Sequence, residues 1–206
     1  MALTMTNNPH PINLAKEAPM TIQTFFRSIL LCLAMLTASG CATRNALPDG
    51  AGGKAILAGN DPVSYYSGAK PVRGDPAFNA QWDGGVYYFA NATNRDQFIK
   101  NPERYAPQYG GYCANGAPFS ILLGGGADAY KVVDGRLYMF SGQNSLNYWA
   151  MDERRNIELG DKYWQTELKD VSSAWFHSWW RILVAKVPHY MTGKEQAAEW
   201  QKRQGK

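Results

Sequence analysis

The sequence is poor in the residues that most often advertise chemistry. It has 3 Cys and 3 His in 206 residues, too few for a disulfide scaffold. HExxH, GxSxG and the phosphate-binding GxxxxGK[ST] pattern are all missing, so no motif supports a zinc protease, an α/β-hydrolase or a P-loop NTPase. No apolar run reaches the roughly 18 residues a spanning helix needs, which excludes a polytopic membrane protein. Charged residues make up 18% and the formal charge is +4, too mild to argue for nucleic acid. No internal repeat is present. What the chain does have is apolar and aromatic: 45% hydrophobic, with 7 Trp and 12 Tyr. That composition excludes wholesale disorder and is enough for a packed core.

The first forty residues read as an address rather than as structure. Residues 1–19 are polar and broken by Pro9, Pro11 and Pro19. Arg27 then precedes an apolar stretch from Ile29 to Ala38, which ends in Ala38-Ser39-Gly40-Cys41. A cation, a short apolar core and small residues before a cut site describe a secretory signal peptide. Leu36-Thr37-Ala38-Ser39-Gly40-Cys41 resembles the lipobox of bacterial lipoproteins. That resemblance implies acylation of the Cys41 thiol, cleavage before it and acylation of the new amino group, because two or three chains anchor stably where one does not. The pattern fits best with translation from Met20. The competing reading is an ordinary cleaved signal with an incidental Cys. The expected location is the bacterial cell envelope, facing the periplasm, on the outer membrane if the cell has one.

Cysteine usage follows from that. Cys32 lies in the discarded apolar core and Cys41 carries lipid, so Cys113 remains as the single thiol. Basic residues gather at the end: residues 181–206 hold six cations against Glu195 and Glu199.

Along the expected mature chain, residues 41–54 read as anchor and linker, being rich in Gly and Ala. Asp61-Pro62 reads as a turn. Phe78–Trp82 and Val86–Phe89 flank Asp83-Gly84-Gly85, and Tyr130–Val133 and Arg136–Phe140 flank Asp134-Gly135. Each set reads as a β-hairpin. A helix is expected over 94–100, capped by Thr93 and ended before Pro102, with a further turn to Tyr105. Gly124–Gly126 reads as a loose loop, and helices are expected near 145–154 and 159–168. The fold class is α+β: a small domain of antiparallel hairpins and short helices over 55–170, plus a C-terminal amphipathic helix in 171–206.

The run Gly59-Asn-Asp61-Pro62-Val63-Ser64-Tyr65-Tyr66, then Tyr88-Phe89-Ala90-Asn91, then Phe98 and Asn101-Pro102-Glu103-Arg104-Tyr105, then Pro107-Gln-Tyr109-Gly110-Gly111-Tyr112-Cys113-Ala114, then Tyr130-Lys-Val-Val-Asp134-Gly135-Arg-Leu137-Tyr138 resembles the YHS domain family. It extends from Ala58 to Trp164. The resemblance implies a small binding domain, appended to metal transporters or exported alone. Cys-bearing members place thiols, which suit copper(I) or zinc, at the positions matching Ser64, Ala90 and Asn94. None is a Cys here, so that metal site is not inherited.

The remaining site candidates are Tyr109, Tyr112, Cys113 and Asp61, as the lining of a binding pocket. Cys113 is the one candidate metal ligand, with copper, zinc or haem as the cofactors to consider and a tail histidine, His177 or His189, as its partner. The plainer reading of Cys113 is a small buried hydrophobe. The plainer reading of Asp61 is a turn-former. The expected function is a membrane-anchored, non-catalytic binding protein; the alternative is a metal- or cofactor-handling protein using Cys113. Beyond the resemblance, Trp175, Trp179, Ile182 and Leu183 fall on one helical stripe with Arg181 and Lys186 nearby, ahead of Pro188. Trp with flanking cations is the composition of an interfacial helix, which makes the bilayer the expected partner of residues 171–187. The competing reading packs those aromatics onto the domain.

Overall fold

The hairpins form where their turn residues dictate. Asp83-Gly84 joins β3 (Asp75–Trp82) to β4 (Gly85–Phe89), and Asp134-Gly135 joins β5 (Tyr130–Val133) to β6 (Arg136–Met139). Both residues of each turn have positive φ, 48° and 74° in the first and 49° and 72° in the second. That is the geometry matching the right-handed twist of the flanking strands, and Asp-Gly supplies it at low cost. A third pair, β1 (Ala46–Pro48) on β2 (Lys54–Ile56), is antiparallel as well. This computed structural model describes residues 43–205. The expected signal and Cys41 lie outside the described residues. The described residues belong to one compact unit, and the architecture is α+β.

The helices follow the hairpins in two groups. After β4 come α1 (Ala92–Lys100) and α2 (Pro102–Tyr105), hinged on Asn101, which ends the first and caps the second. The cap of α1 is Asn91 rather than Thr93: the Asn91 carboxamide accepts from the Asn94 N–H at 2.9 Å, and this places the helix start two residues earlier than expected. After β6 come α3 (Gln143–Ala150) and α4 (Glu153–Tyr163), which continues as a wider turn through Leu168. Then come α5 (Ala174–Leu183) and α6 (Gly193–Arg203).

Two aromatic clusters make the core, and β6 feeds both. Leu137 and Met139 face the first, with Tyr65, Tyr87, Phe89 and Phe98. Tyr138 and Phe140 face the second, with Tyr109, Cys113 and Trp149. The alternation is the period-2 rule of a strand buried on both faces.

Two expectations need correction. The linker expected over 41–54 is, from Thr43 onward, part of the domain. Arg44 makes paired bonds to the Asp83 carboxylate at 2.9 and 2.7 Å and lies over the Trp164 ring at 5.5 Å. The Asn45 N–H donates to Gly110 O at 2.9 Å. Gly110 tolerates this approach because its φ is +59° and a Cβ there would stand 2.6 Å from Arg44 Cδ. The loose loop expected at Gly124–Gly126 is likewise packed: Gly125 is buried, its carbonyl accepts from Asn45 Nδ2 at 2.8 Å, and the Gly126 N–H donates to Phe140 O at 2.8 Å.

Candidate functional site

The three positions at which the resemblance expects thiols converge in space, and a carboxylate stands among them. Asp61 is fully buried. It caps the 3-10 turn Pro62–Tyr66, accepting from the Val63 N–H at 2.9 Å. Its other oxygen accepts from the Ala90 N–H at 2.9 Å and from Asn94 Nδ2 at 2.6 Å. Ser64 Oγ donates to Asp61 O at 2.6 Å and accepts from the Val72 N–H at 2.9 Å. Every donor is turned toward the acid, so Ser64, Ala90 and Asn94 offer no open ligand set to a soft cation. The residues present do not fit the metal the resemblance implies. Their work is structural: they tie the Asp61 turn to the start of α1.

Tyr109, Tyr112 and Cys113 belong to the other cluster, so the structure does not gather the four expected pocket residues at one place. All four are buried. Tyr109 donates its phenol to Asp161 at 2.9 Å, and Arg136 holds the same carboxylate at 2.8 and 2.6 Å. Burial first, then the Asp161 charge, pushes the Tyr109 phenol far above the ordinary tyrosine range. Cys113 takes the Ser141 N–H on its sulfur at 3.4 Å and points its S–H at Ser141 Oγ, 3.7 Å away. His177 and His189 bond the carbonyls of Ser120 and Pro118, not Cys113. Among the described residues no three His, Cys, Asp or Glu side chains come together as a metal-holding group.

Two residues that sequence reasoning missed, Ser120 and Glu167, form a polar junction with His177 and Arg181. Ser120 is fully buried, with φ +56°. Its hydroxyl donates to Glu167 at 2.7 Å, and His177 Nε2 lies 3.1 Å from Ser120 O. Arg181 pairs with the same Glu167 carboxylate. Burial works against the Glu167 charge, yet the bonds from Ser120 and Arg181 outweigh it and hold its pKa below the usual range. Burial also lowers the His177 pKa, against the opposing pull of the Ser120 carbonyl. Serine, histidine and glutamate are all present, but the acid sits on the hydroxyl instead of orienting the imidazole. That wiring does not make an activated nucleophile. It fastens α5 to the 120–122 segment. Ser178 adds to the fastening: its Oγ accepts from the Leu122 N–H at 2.9 Å and donates to Leu122 O at 3.1 Å.

Fastened on that side, α5 turns its aromatic side outward. Trp175 is 75% exposed, Phe176 57% and Leu183 62%, and Trp179, Trp180 and Val184 are exposed as well. The packing of these aromatics onto the domain is therefore not what the structure shows. The expected stripe holds for Trp175, Trp179 and Leu183, whereas Ile182 is half-buried. The expected flanking cation Arg181 faces inward, on Glu167. The start of the domain lies at the same end of the helix. Thr43 donates both its N–H and its Oγ to Val171 O, each at 3.1 Å, two residues before the Ser173 cap of α5.

No protein-family model, curated protein or solved structure matches this chain.

Proposed function

We propose that this protein is a bacterial envelope lipoprotein: a YHS-like, non-catalytic binding domain anchored through acylated Cys41 and laid against the bilayer by α5. One observation carries the reading, the exposed aromatic side of α5 beside Thr43. Two residues of chain reach at most about 7 Å. A lipid on Cys41 therefore leaves the domain beside the segment leading into α5. The helix offers Trp175, Phe176, Trp179, Trp180 and Leu183 to whatever lies there. Large contiguous apolar surface on a water-soluble domain marks an interaction site, and tryptophan is the residue most at home at the headgroup level. No helix among the described residues is long and apolar enough to cross a membrane, so the contact proposed is interfacial.

The test uses residues 42–206, which lack the acylated cysteine, with vesicles of phosphatidylethanolamine and phosphatidylglycerol. The unacylated domain co-sediments with them. The triple variant Trp175→Ser, Phe176→Ser, Leu183→Ser stays in the supernatant, with its melting temperature unchanged within a few degrees, because these side chains are more than half exposed. Equal sedimentation of the two proteins contradicts the reading.

A further inference from the structure

A cleft runs between the α3–α4 corner, the 115–119 segment and α6, away from the exposed side of α5. It has two adjoining lobes of about 220 and 180 Å³, together in the range of small-molecule sites, roughly 300–1,000 Å³. Phe119, Tyr148 and Met191 wall both lobes, Leu159 closes the first and Ile121 the second.

At the waist, shared by both lobes, Asn115 and Gln196 meet. Both are more than nine-tenths buried, and Asn115 Nδ2 donates to Gln196 Oε1 at 2.8 Å. This bond uses one donor and one acceptor of the two carboxamides. Asn115 Oδ1 and Gln196 Nε2 have no partner among the described residues. Turning both amides over changes which residue offers which group, but one C=O and one NH₂ remain open either way. Neither open atom is among the fully enclosed unpaired polar atoms of the described residues, so both face the cleft and are free to pair with a ligand edge. The charged residues at the mouth are balanced: Asp152 and Glu199 against Arg155 and Arg203, with Glu199 and Arg203 bonded to each other at 2.8 Å. His189 is fixed by the Pro118 carbonyl at 2.7 Å. The lining therefore offers one adjacent donor and acceptor, apolar and aromatic walls, and no net charge.

We infer that this cleft binds a small neutral molecule carrying an amide or lactam edge on an apolar, planar body, the edge pairing with Asn115 and Gln196. The assignment rests on reading the domain as a binding module, and it does not depend on the bilayer contact of α5. In a lactam the N–H and C=O lie side by side, which complements the open C=O and NH₂ at the waist.

The test titrates the full chain with oxindole, a planar lactam, and with N-methyloxindole, which has the same body without the donor. Binding is followed by saturation-transfer NMR. Oxindole binds saturably, and N-methyloxindole binds about tenfold more weakly. Gln196→Met removes that preference. Leu159→Trp, which fills the first lobe and leaves the amide pair in place, weakens both ligands, so the result does not hinge on the folding of the Gln196 variant. Equal affinity for the two lactams, no saturation, or undiminished binding by Leu159→Trp overturns the assignment. If oxindole fails while residues 42–206 still bind vesicles through α5, only this site is lost and the anchoring reading stands.

Discussion

A single buried acid organises one end of this domain. Asp61 accepts from three donors that begin three different segments: the Pro62–Tyr66 turn, the residue after β4 and the first turn of α1. Replacing it with Ala leaves the Val63 and Ala90 N–H groups and the Asn94 amide without an acceptor. The expected loss is about 2–4 kcal/mol by denaturant unfolding, given ~1–3 kcal/mol for each buried polar group left unmade. Asp61→Asn, which keeps the shape, should lose less. The turn role of Asp61 is legible from Asp-Pro alone. Its reach to Ala90 and Asn94 is not, because nothing local relates positions about thirty residues apart. The same holds at residue 44: an arginine among alanines reads as linker, and its partners Asp83 and Trp164 appear only when the chain is folded. Tyrosines set the alkaline limit. Burial pushes the phenols of Tyr65, Tyr66 and Tyr138 up to about 12. A phenol whose folded pKa is raised contributes stability that is complete below its unfolded value, about 10, and is lost as pH climbs through the folded one. Melting temperature should therefore fall between about pH 10 and pH 12, ahead of the tyrosinate absorbance of these phenols in the native protein; a flat profile across that window contradicts the burial of these rings.

Among the elements, those with turn chemistry written into them were readable and those defined by packing were not. Asp-Gly announces both hairpins, and Pro102 announces the break between α1 and α2. β1 was hidden because Ala46-Leu47-Pro48 has neither alternation nor β-branched residues, and it exists by pairing with β2. α6 was within reach. Thr192 and Glu195 make a reciprocal capping box, with the Glu195 carboxylate accepting from the Thr192 N–H at 2.7 Å and the Thr192 hydroxyl accepting from the Glu195 N–H at 3.3 Å. Threonine followed three residues later by glutamate is a sequence-level signature of a helix start. The periodicity of α5 was legible, but which side faced the core was not, because Trp suits both a core and a headgroup layer. The deciding residues are small and polar: Ser178, with Ser120 across from it, holds the helix down. Ser178→Ala leaves the Leu122 N–H without its acceptor. It should speed hydrogen exchange at Leu122 and across α5 at least several-fold, since one buried bond is worth about 1 kcal/mol, while amides in β5 and β6 keep their protection. Uniform acceleration through the whole domain would mean that α5 does not open as a separate element.

For the molecule as a whole, the places where the chain enters the domain and where α5 starts matter most. The domain begins at Thr43, which is bonded to Val171, and the Ser173 cap of α5 lies two residues past Val171. The proposed anchor at Cys41, placed beside an exposed aromatic helix, would restrict orientation as well as location, since a tethered surface contact needs little further affinity to persist. Of α5 only the half-buried Ile182 reaches the cleft under α6, so a ligand there and a bilayer on the exposed side of α5 are separable properties of one domain. The sequence shows the hairpins and the aromatic stripe. Nothing in it tells that Thr43 returns to Val171, because a pair of bonds across 128 positions leaves no local mark. The claim on which the rest depends is acylation at Cys41, and the intact mass of protein extracted from membranes tests it most directly. The account predicts a chain beginning at Cys41 and carrying two or three acyl groups. A chain with no acyl group, or one that still carries the residues before Cys41, contradicts it.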